Sequence, residues 1–193
     1  PILPERFIKD IVEFFPSDSI IIADAGDTTV YATEQIDLYK PRPPRSTLDS
    51  VRMGHLGVGI PFAIGARFAN PDKPIVVIQG DGSFLFNVQE LETAVRYNLP
   101  FIVVIANNGA WGMIKSGQAL FSGKRFIDVD IPDIDYASIA KGFGCYVETV
   151  IKPEEIKPAL QRAMDSGRPA VIDVKIKWDT PKGTRTLLTT GIA

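Results

Sequence analysis

The 193-residue chain is 45% hydrophobic and balances 21 Lys and Arg against 23 Asp and Glu, for a net charge of −2. That size and apolar fraction suit one α/β unit with a sizeable core, and the even charge, with no basic block, argues against nucleic acid or an anionic membrane as partner. Apolar runs such as 100–106 are too short to cross a bilayer and the N-terminal stretch lacks a basic-then-apolar targeting pattern, so a soluble, cytoplasmic protein is expected.

Residues 3–15 (LPERFIKDIVEFF) set Phe7, Ile8, Ile11, Val12 and Phe15 at helical spacing behind Pro4, which suits a first turn. The apolar run 19–23 (SIIIA) reads as a buried parallel strand. It ends in Asp24-Ala25-Gly26-Asp27-Thr28-Thr29, a polar turn in which Asp27 or Thr28 can also cap a helix over 29–36. Prolines at 41, 43 and 44 break regular structure, so 39–45 is read as a loop inside the domain. In 52–61 (RMGHLGVGIP) and the helix expected over 62–68, Gly54, Gly57, Gly59 and Gly65 imply close approach of the backbone to a helix or a ligand. Helix packing alone accounts for Gly65 better than for Gly54 and Gly57.

The stretch 74–112 organises the rest. Strands are predicted over 75–79 and 101–106, joined by a helix of about three turns whose Val88, Leu91, Ala94 and Val95 share one apolar face. Asn87 is the candidate N-cap, with Glu90 completing a variant capping box. After the strands come Gly80-Asp81-Gly82-Ser83 and Asn107-Asn108-Gly109. In an open parallel sheet both clusters fall on the same rim, outside the carboxyl ends of the strands. A carboxylate, a hydroxyl, two amides and glycine-exposed backbone suit a hard cation and the phosphate oxygens it neutralises.

Residues 113–126 lack a clear period and read as partly helical and mobile. A helix over 134–143 ends at Gly142 or Gly144, a strand follows over 145–150, then a helix over 153–165 led by Pro153 and ended at Gly167, then a strand over 170–176. This alternation predicts a doubly wound, mainly parallel sheet with helices on both faces, over residues 1–180. The polar tail, 181–193 together with the residues from Lys177, is either a closing arm or disordered. Cys145, the one cysteine, is read as a buried structural thiol. His55, the one histidine, excludes His-rich zinc sites. A Rossmann fingerprint fails because Leu85 stands where a third glycine is needed and no acidic residue ends the next strand; a Walker loop fails because no glycine-rich run ends in Lys-Ser or Lys-Thr.

Residues 80–108, GDG followed by some two dozen residues and NN, resemble the thiamine-diphosphate signature. With 54–66 and 111–118, nearly the whole chain is similar to the C-terminal, diphosphate-binding domain of the acetolactate synthase and 2-oxo acid decarboxylase superfamily. The resemblance implies thiamine diphosphate and Mg²⁺ as cofactors. Asp81, Asn108 and the Ala110 carbonyl would then hold the ion, two diphosphate oxygens and a water completing an octahedron. The Ser83 hydroxyl and the amides of Gly82 and Ser83, beside Gly80 and at the start of a helix, would hold the diphosphate, with Asp27 and Thr28 reaching it from the first strand. Gly54 would offer its carbonyl to the pyrimidine, and Leu56 would bend the cofactor into its V shape. Met113 either faces the substrate or packs in the core, and His55 either contacts substrate or diphosphate or is structural.

In that superfamily the activating glutamate belongs to a separate pyrimidine-binding domain. No catalytic residue is therefore assigned in this chain, which is expected to bind cofactor weakly and not turn over by itself. A pyrimidine-binding domain from another chain or a missing segment, in a homo- or hetero-oligomer, is the implied partner, and a small 2-oxo acid the implied substrate. Acetolactate synthases usually carry a tryptophan near Gly117, which GMIKSGQ lacks. A decarboxylase, or an acyl-CoA enzyme of the oxalyl-CoA decarboxylase branch, stays open, with Lys177, Lys182 and Arg185 as contacts to CoA phosphates or as a solvated basic tail. The rival outside the enzymes is a non-catalytic module for a Mg²⁺-phosphate ligand.

Overall fold

Runs of isoleucine and valine pair side by side in one sheet. The strands are β1 (Ile20–Ala23), β2 (Thr47–Asp49), β3 (Ile75–Gly80), β4 (Ile102–Asn107), β5 (Tyr146–Val150) and β6 (Ala170–Lys175). In the computed structural model, which describes residues 1–50, 52–182 and 186, they lie in the order β2-β1-β3-β4-β6-β5. Every pairing is parallel, with Ile22 opposite Val77 and Ile78 opposite Val104. The helices are α1 (Pro4–Phe14), α2 (Asp27–Tyr39), α3 (Gly59–Ala69), α4 (Asp81–Phe84), α5 (Glu90–Arg96), α6 (Gly112–Phe121), α7 (Tyr136–Phe143) and α8 (Ile156–Asp165).

Alternation along the strands divides the core in two. Ile21, Val76, Ile78, Val104 and Ile172 meet the apolar faces of α1, α2 and α8. Ile22, Val77, Val103, Ile105 and Val171 meet α3, α5 and α7. A strand buried on both faces is apolar at nearly every position, which is why these segments read as runs and not as alternation. The result is the doubly wound sheet expected from the sequence. From β1 the chain moves to β2 on one side and then to β3 on the other, so the winding reverses between β1 and β3. A crevice opens at their carboxyl ends, where doubly wound folds bind ligands.

Local departures have tertiary causes. Strand β2 was hidden by its length, three residues at the sheet edge. Between β3 and β4 the chain does not form one long helix: α4 starts at Asp81 directly after the strand and makes one turn, and α5 begins at Glu90. Asn87 caps neither, because its side-chain amide donates to the Gly57 carbonyl (2.8 Å), while Glu90 accepts from the Thr93 hydroxyl (3.0 Å). Gly26, at φ 91°, takes the N-cap position of α2, which puts Asp27 and Thr28 inside the first turn. Helix α7 closes at Gly144 in the left-handed region, and Asp135 caps its start by accepting from the Ser138 amide (2.9 Å). Cys145 is buried, and burial pushes its thiol up to about 11.

Residues 113–121 are helical, as part of α6, and residues 178–180 lie along that helix. The Trp178 indole donates to the Gly112 carbonyl (3.4 Å) and the Thr180 hydroxyl bonds that of Ser116 (2.9 Å). The Lys115 ammonium sits over the rings of Phe126 and Trp178 (5.4 and 5.1 Å), which touch edge to face, and pairs with Asp130 at 2.5 Å. Lys177 and Lys182 are exposed. Arg185 and most of the expected tail, 181–193, lie outside the described residues. Among the described residues, no helix is long and apolar enough to cross a membrane.

Candidate functional site

The carboxyl ends of β1, β3 and β4 border a cavity of about 450 Å³. Asp81, the first residue after β3, is 2% exposed. Its Oδ1 accepts from the Gly82 amide (2.8 Å) and its Oδ2 from the Gly109 amide (2.7 Å), so the carboxylate ties the end of β3 to the turn after β4. Burial raises its pKa to about 6, against the opposing pull of those amides. Asn108 folds its own turn, Oδ1 accepting from the Ala110 amide (3.0 Å). Ala110 pairs with Asp130 in an antiparallel bridge whose bonds run from Trp111 N to Val129 O and from Ile131 N to Gly109 O (2.8 Å each). In such a pair the middle residue turns its own N–H and C=O away from the opposite strand. The Ala110 carbonyl is thereby left on the side of Asn108.

Glycines let these groups close up. A Cβ on Gly82 would lie 2.6 Å from the Trp111 ring, which packs edge-on against Phe86 at 6.2 Å. A Cβ on Gly112 would lie 2.5 Å from Asp27 Oδ2 and 3.2 Å from Asn108 Nδ2. The Thr28 hydroxyl is 3.3 Å from the corresponding point on Gly80, whose carbonyl accepts from the Ser83 hydroxyl (3.2 Å). Across the cavity Leu56 approaches the Gly26 turn, its Cδ2 3.8 Å from where a Cβ would stand. Among the described residues no cluster of three or more His, Cys, Asp or Glu could hold a metal ion. An ion at Asp81 would therefore rely on one carboxylate, amide and backbone oxygens, and the ligand it accompanies.

Most residues singled out from the sequence meet here: Asp27, Thr28, Gly54, Leu56, Gly80, Asp81, Gly82, Ser83, Asn108, Ala110 and Met113 all line the cavity. His55 does not; it is exposed, in a turn where its carbonyl accepts from the Ser50 hydroxyl (2.8 Å). Asn107 also faces elsewhere, its amide donating to the buried Asp173 carboxylate (2.9 Å), which Lys175 approaches at 3.2 Å. The Gly82 amide, expected on the phosphate side, is turned to Asp81 in this structure. The role of Asp24 was not legible in the sequence: it is fully buried at the end of β1, burial raises its pKa against the backbone amides of Ala25, Gly57 and Gly59, and the Gln79 side chain is a fourth N–H donor. Those donors come from residues up to 55 positions away, so no local signal announced it.

A parallel sheet that reverses between β1 and β3, with a buried aspartate after β3 and Asn108 after the neighbouring β4, defines an α/β domain built to meet a phosphate-bearing ligand. Residues 24–174 match the family described as thiamine pyrophosphate enzyme, C-terminal TPP binding domain, and the chain belongs to that family. Thiamine diphosphate is its cofactor. The chain is 37% identical over 174 residues to an acetolactate synthase large subunit of Mycobacterium tuberculosis, covering 90% of this chain and 31% of that one. It is 35% identical over 183 residues to a probable acetolactate synthase large subunit of Methanocaldococcus jannaschii, covering 91% and 30%. Among solved structures, the thiamine diphosphate-dependent 4-hydroxybenzoylformate decarboxylase of Rhodococcus jostii superposes with a TM-score of 0.83 at 26% identity, over 92% of this chain and 33% of that one. The chain thus spans about a third of the length of these relatives.

Proposed function

We propose that this chain is the diphosphate- and Mg²⁺-holding part of a cytoplasmic, oligomeric enzyme that acts on 2-oxo acids as acetolactate synthases do. The observation that carries this reading is the convergence of buried Asp81, Asn108 and the free side of Ala110 on one cavity, in a chain whose family uses thiamine diphosphate. The cavity volume falls within the ~300–1,000 Å³ of small-molecule sites, and the close packing at Gly82 and Gly112 leaves the rim as backbone and short polar groups. Such oxygen ligands suit Mg²⁺, which takes one or two carboxylates and completes its shell with phosphate oxygens and water.

In this reading Asp81, Asn108 and the Ala110 carbonyl hold the ion. A buried carboxylate is costly without a counter-charge, and the cation supplies it. The hydroxyls of Thr28 and Ser83, with Asp27, Gly80 and Gly82, border the diphosphate. Leu56 supports the bend of the cofactor, Gly54 turns its carbonyl to the pyrimidine, and Met113, on the first turn of α6, faces the substrate. Thiamine diphosphate bound there supplies an electron sink for cleavage next to a 2-oxo group. The glutamate that activates it comes from a pyrimidine-binding domain, in another chain or in residues beyond these.

The test is reconstitution. Combined with a matching pyrimidine-binding domain and saturated with Mg²⁺ and thiamine diphosphate, the chain is expected to consume pyruvate, and the product, acetolactate or the aldehyde, decides between carboligation and simple decarboxylation. A stable, cofactor-loaded complex that consumed no 2-oxo acid would overturn the proposal.

A further inference from the structure

At the end of β1 one carboxylate ties together three segments that border the cavity. Asp24 is fully buried, and its two oxygens accept four hydrogen bonds. Oδ1 takes the backbone amides of Ala25 (2.7 Å) and Gly57 (3.0 Å). Oδ2 takes the Gly59 amide (2.9 Å) and the side-chain amide of Gln79 (2.8 Å). Ala25 begins the turn that carries Asp27 and Thr28, Gly57 and Gly59 follow Leu56, and Gln79 stands two residues before Asp81.

Gly57 is pinned from its other side as well. It sits at φ 84°, its carbonyl accepts from Asn87 (2.8 Å), and a Cβ there would lie 2.5 Å from the Cβ of Phe86. Leu56 therefore hangs from a backbone that cannot slide along the sheet without breaking bonds to Asp24. Asp24 itself does not line the cavity.

We infer that Asp24 is a positioning residue for cofactor bending: through Gly57 and Gly59 it sets the height of Leu56 against the Asp81 rim, and with it the angle at which the two rings of thiamine diphosphate meet. This rests on the function proposed above. Because Asp24 lies behind the groups that border the ion and the diphosphate, its alteration changes activation of the cofactor more than its affinity.

Asp24→Asn is the direct perturbation. A carboxamide replaces one acceptor oxygen by a donor, so whichever way it turns, the amide of Gly57 or of Gly59 loses its partner. Gln79→Met removes the link to β3 and leaves the loop bonds in place, and it serves if the first variant does not assemble. In the assembled holoenzyme two quantities are read: the Kd for thiamine diphosphate with Mg²⁺, and the rate at which the C2 proton of bound cofactor exchanges into deuterated water. Since misplacement by about 1 Å can lower a rate ~100-fold, exchange is expected to fall ~10- to 100-fold in Asp24→Asn and at least ~2-fold in Gln79→Met, with Kd within ~3-fold of the parent. A residue that only stabilised the fold would lower melting temperature and occupancy and leave exchange in the loaded fraction unchanged. Unchanged exchange in loaded variants, or a loss of affinity as large as the loss of exchange, overturns the inference while the proposed function stands. A parent enzyme that binds no thiamine diphosphate overturns both.

Discussion

Replacing Gly82 by alanine probes the cradle with a single methyl group. Built on the observed backbone, that methyl lies 2.6, 2.8 and 2.9 Å from three atoms of the Trp111 ring. Carbon atoms prefer ~3.5–4.0 Å, so the overlap is about 1 Å across one edge of the indole. The ring is held by its edge-on contact with Phe86 and by the bond from its backbone amide to Val129, and its open direction is the cavity. Overpacking of this kind costs ~1–3 kcal/mol, which for a chain of this size lowers the melting temperature by about 2–12 °C. A ring pushed into the cavity also weakens binding of thiamine diphosphate, by ~10-fold if 1.4 kcal/mol of contact is lost. Gly117→Ala is the matched control, because a Cβ there meets nothing within 4 Å inside α6, and it is expected to stabilise by up to ~1 kcal/mol. Thermal denaturation and calorimetric titration of the two variants decide. A Gly82→Ala protein as stable and as tightly binding as the parent, or a Gly117→Ala protein that loses as much, would refute the reasoning.

The pKa of Asp81, raised by burial to about 6 from the ordinary 3.8, means that the folded chain holds a proton the unfolded chain gives up. The associated stability is full below about pH 4 and is lost as pH rises through 6, up to about 3 kcal/mol at 1.36 kcal/mol per pH unit. Urea unfolding at pH 4.5 and 7.5 is expected to show the parent gaining on Asp81→Asn as pH falls; a constant difference contradicts it. Ion binding has the opposite dependence, since only the charged carboxylate is a ligand. Cys145, its thiol pushed up to about 11 by burial, is expected to resist iodoacetamide at pH 8 in the native protein and to react fully in urea; rapid native modification contradicts its burial. Asn107→Ala takes from buried Asp173 one of the two side-chain partners it has among the described residues and is expected to cost ~1–3 kcal/mol in urea unfolding, whereas no loss would show that the bond between β4 and β6 contributes nothing.

What could be read from the chain followed the range of the interactions involved. β1, β3, β4 and β6 are legible because a strand covered on both faces is a nearly continuous apolar run, and each such run ends in polar residues. The rim was legible because Gly80-Asp81-Gly82-Ser83 and Asn107-Asn108-Gly109 follow neighbouring strands. Asn87 and Glu90 have the spacing of a capping box, yet the Gly57 carbonyl, 30 residues away, takes the amide of Asn87. His55 and Leu56 are adjacent in sequence, but the turn they share sends the histidine outward and leaves the leucine beside Gly26. Of the two asparagines at the end of β4, Asn107 locks the sheet and Asn108 reaches the cavity, and the strand's alternation separates them. Asp24 was out of reach, since its importance lies in amides brought to it from 33 and 35 residues along the chain.

The central claim is that Asp81 and Asn108 hold one Mg²⁺ that in turn holds a diphosphate. Calorimetric titration of the metal-free protein with thiamine diphosphate, in the presence and absence of Mg²⁺, tests it most directly. Binding is expected to require the ion, to disappear in Asp81→Ala and in Asn108→Ala, and to be tighter than binding of ADP. Binding that survives removal of the ion or of either side chain, or a preference for ADP, would contradict it.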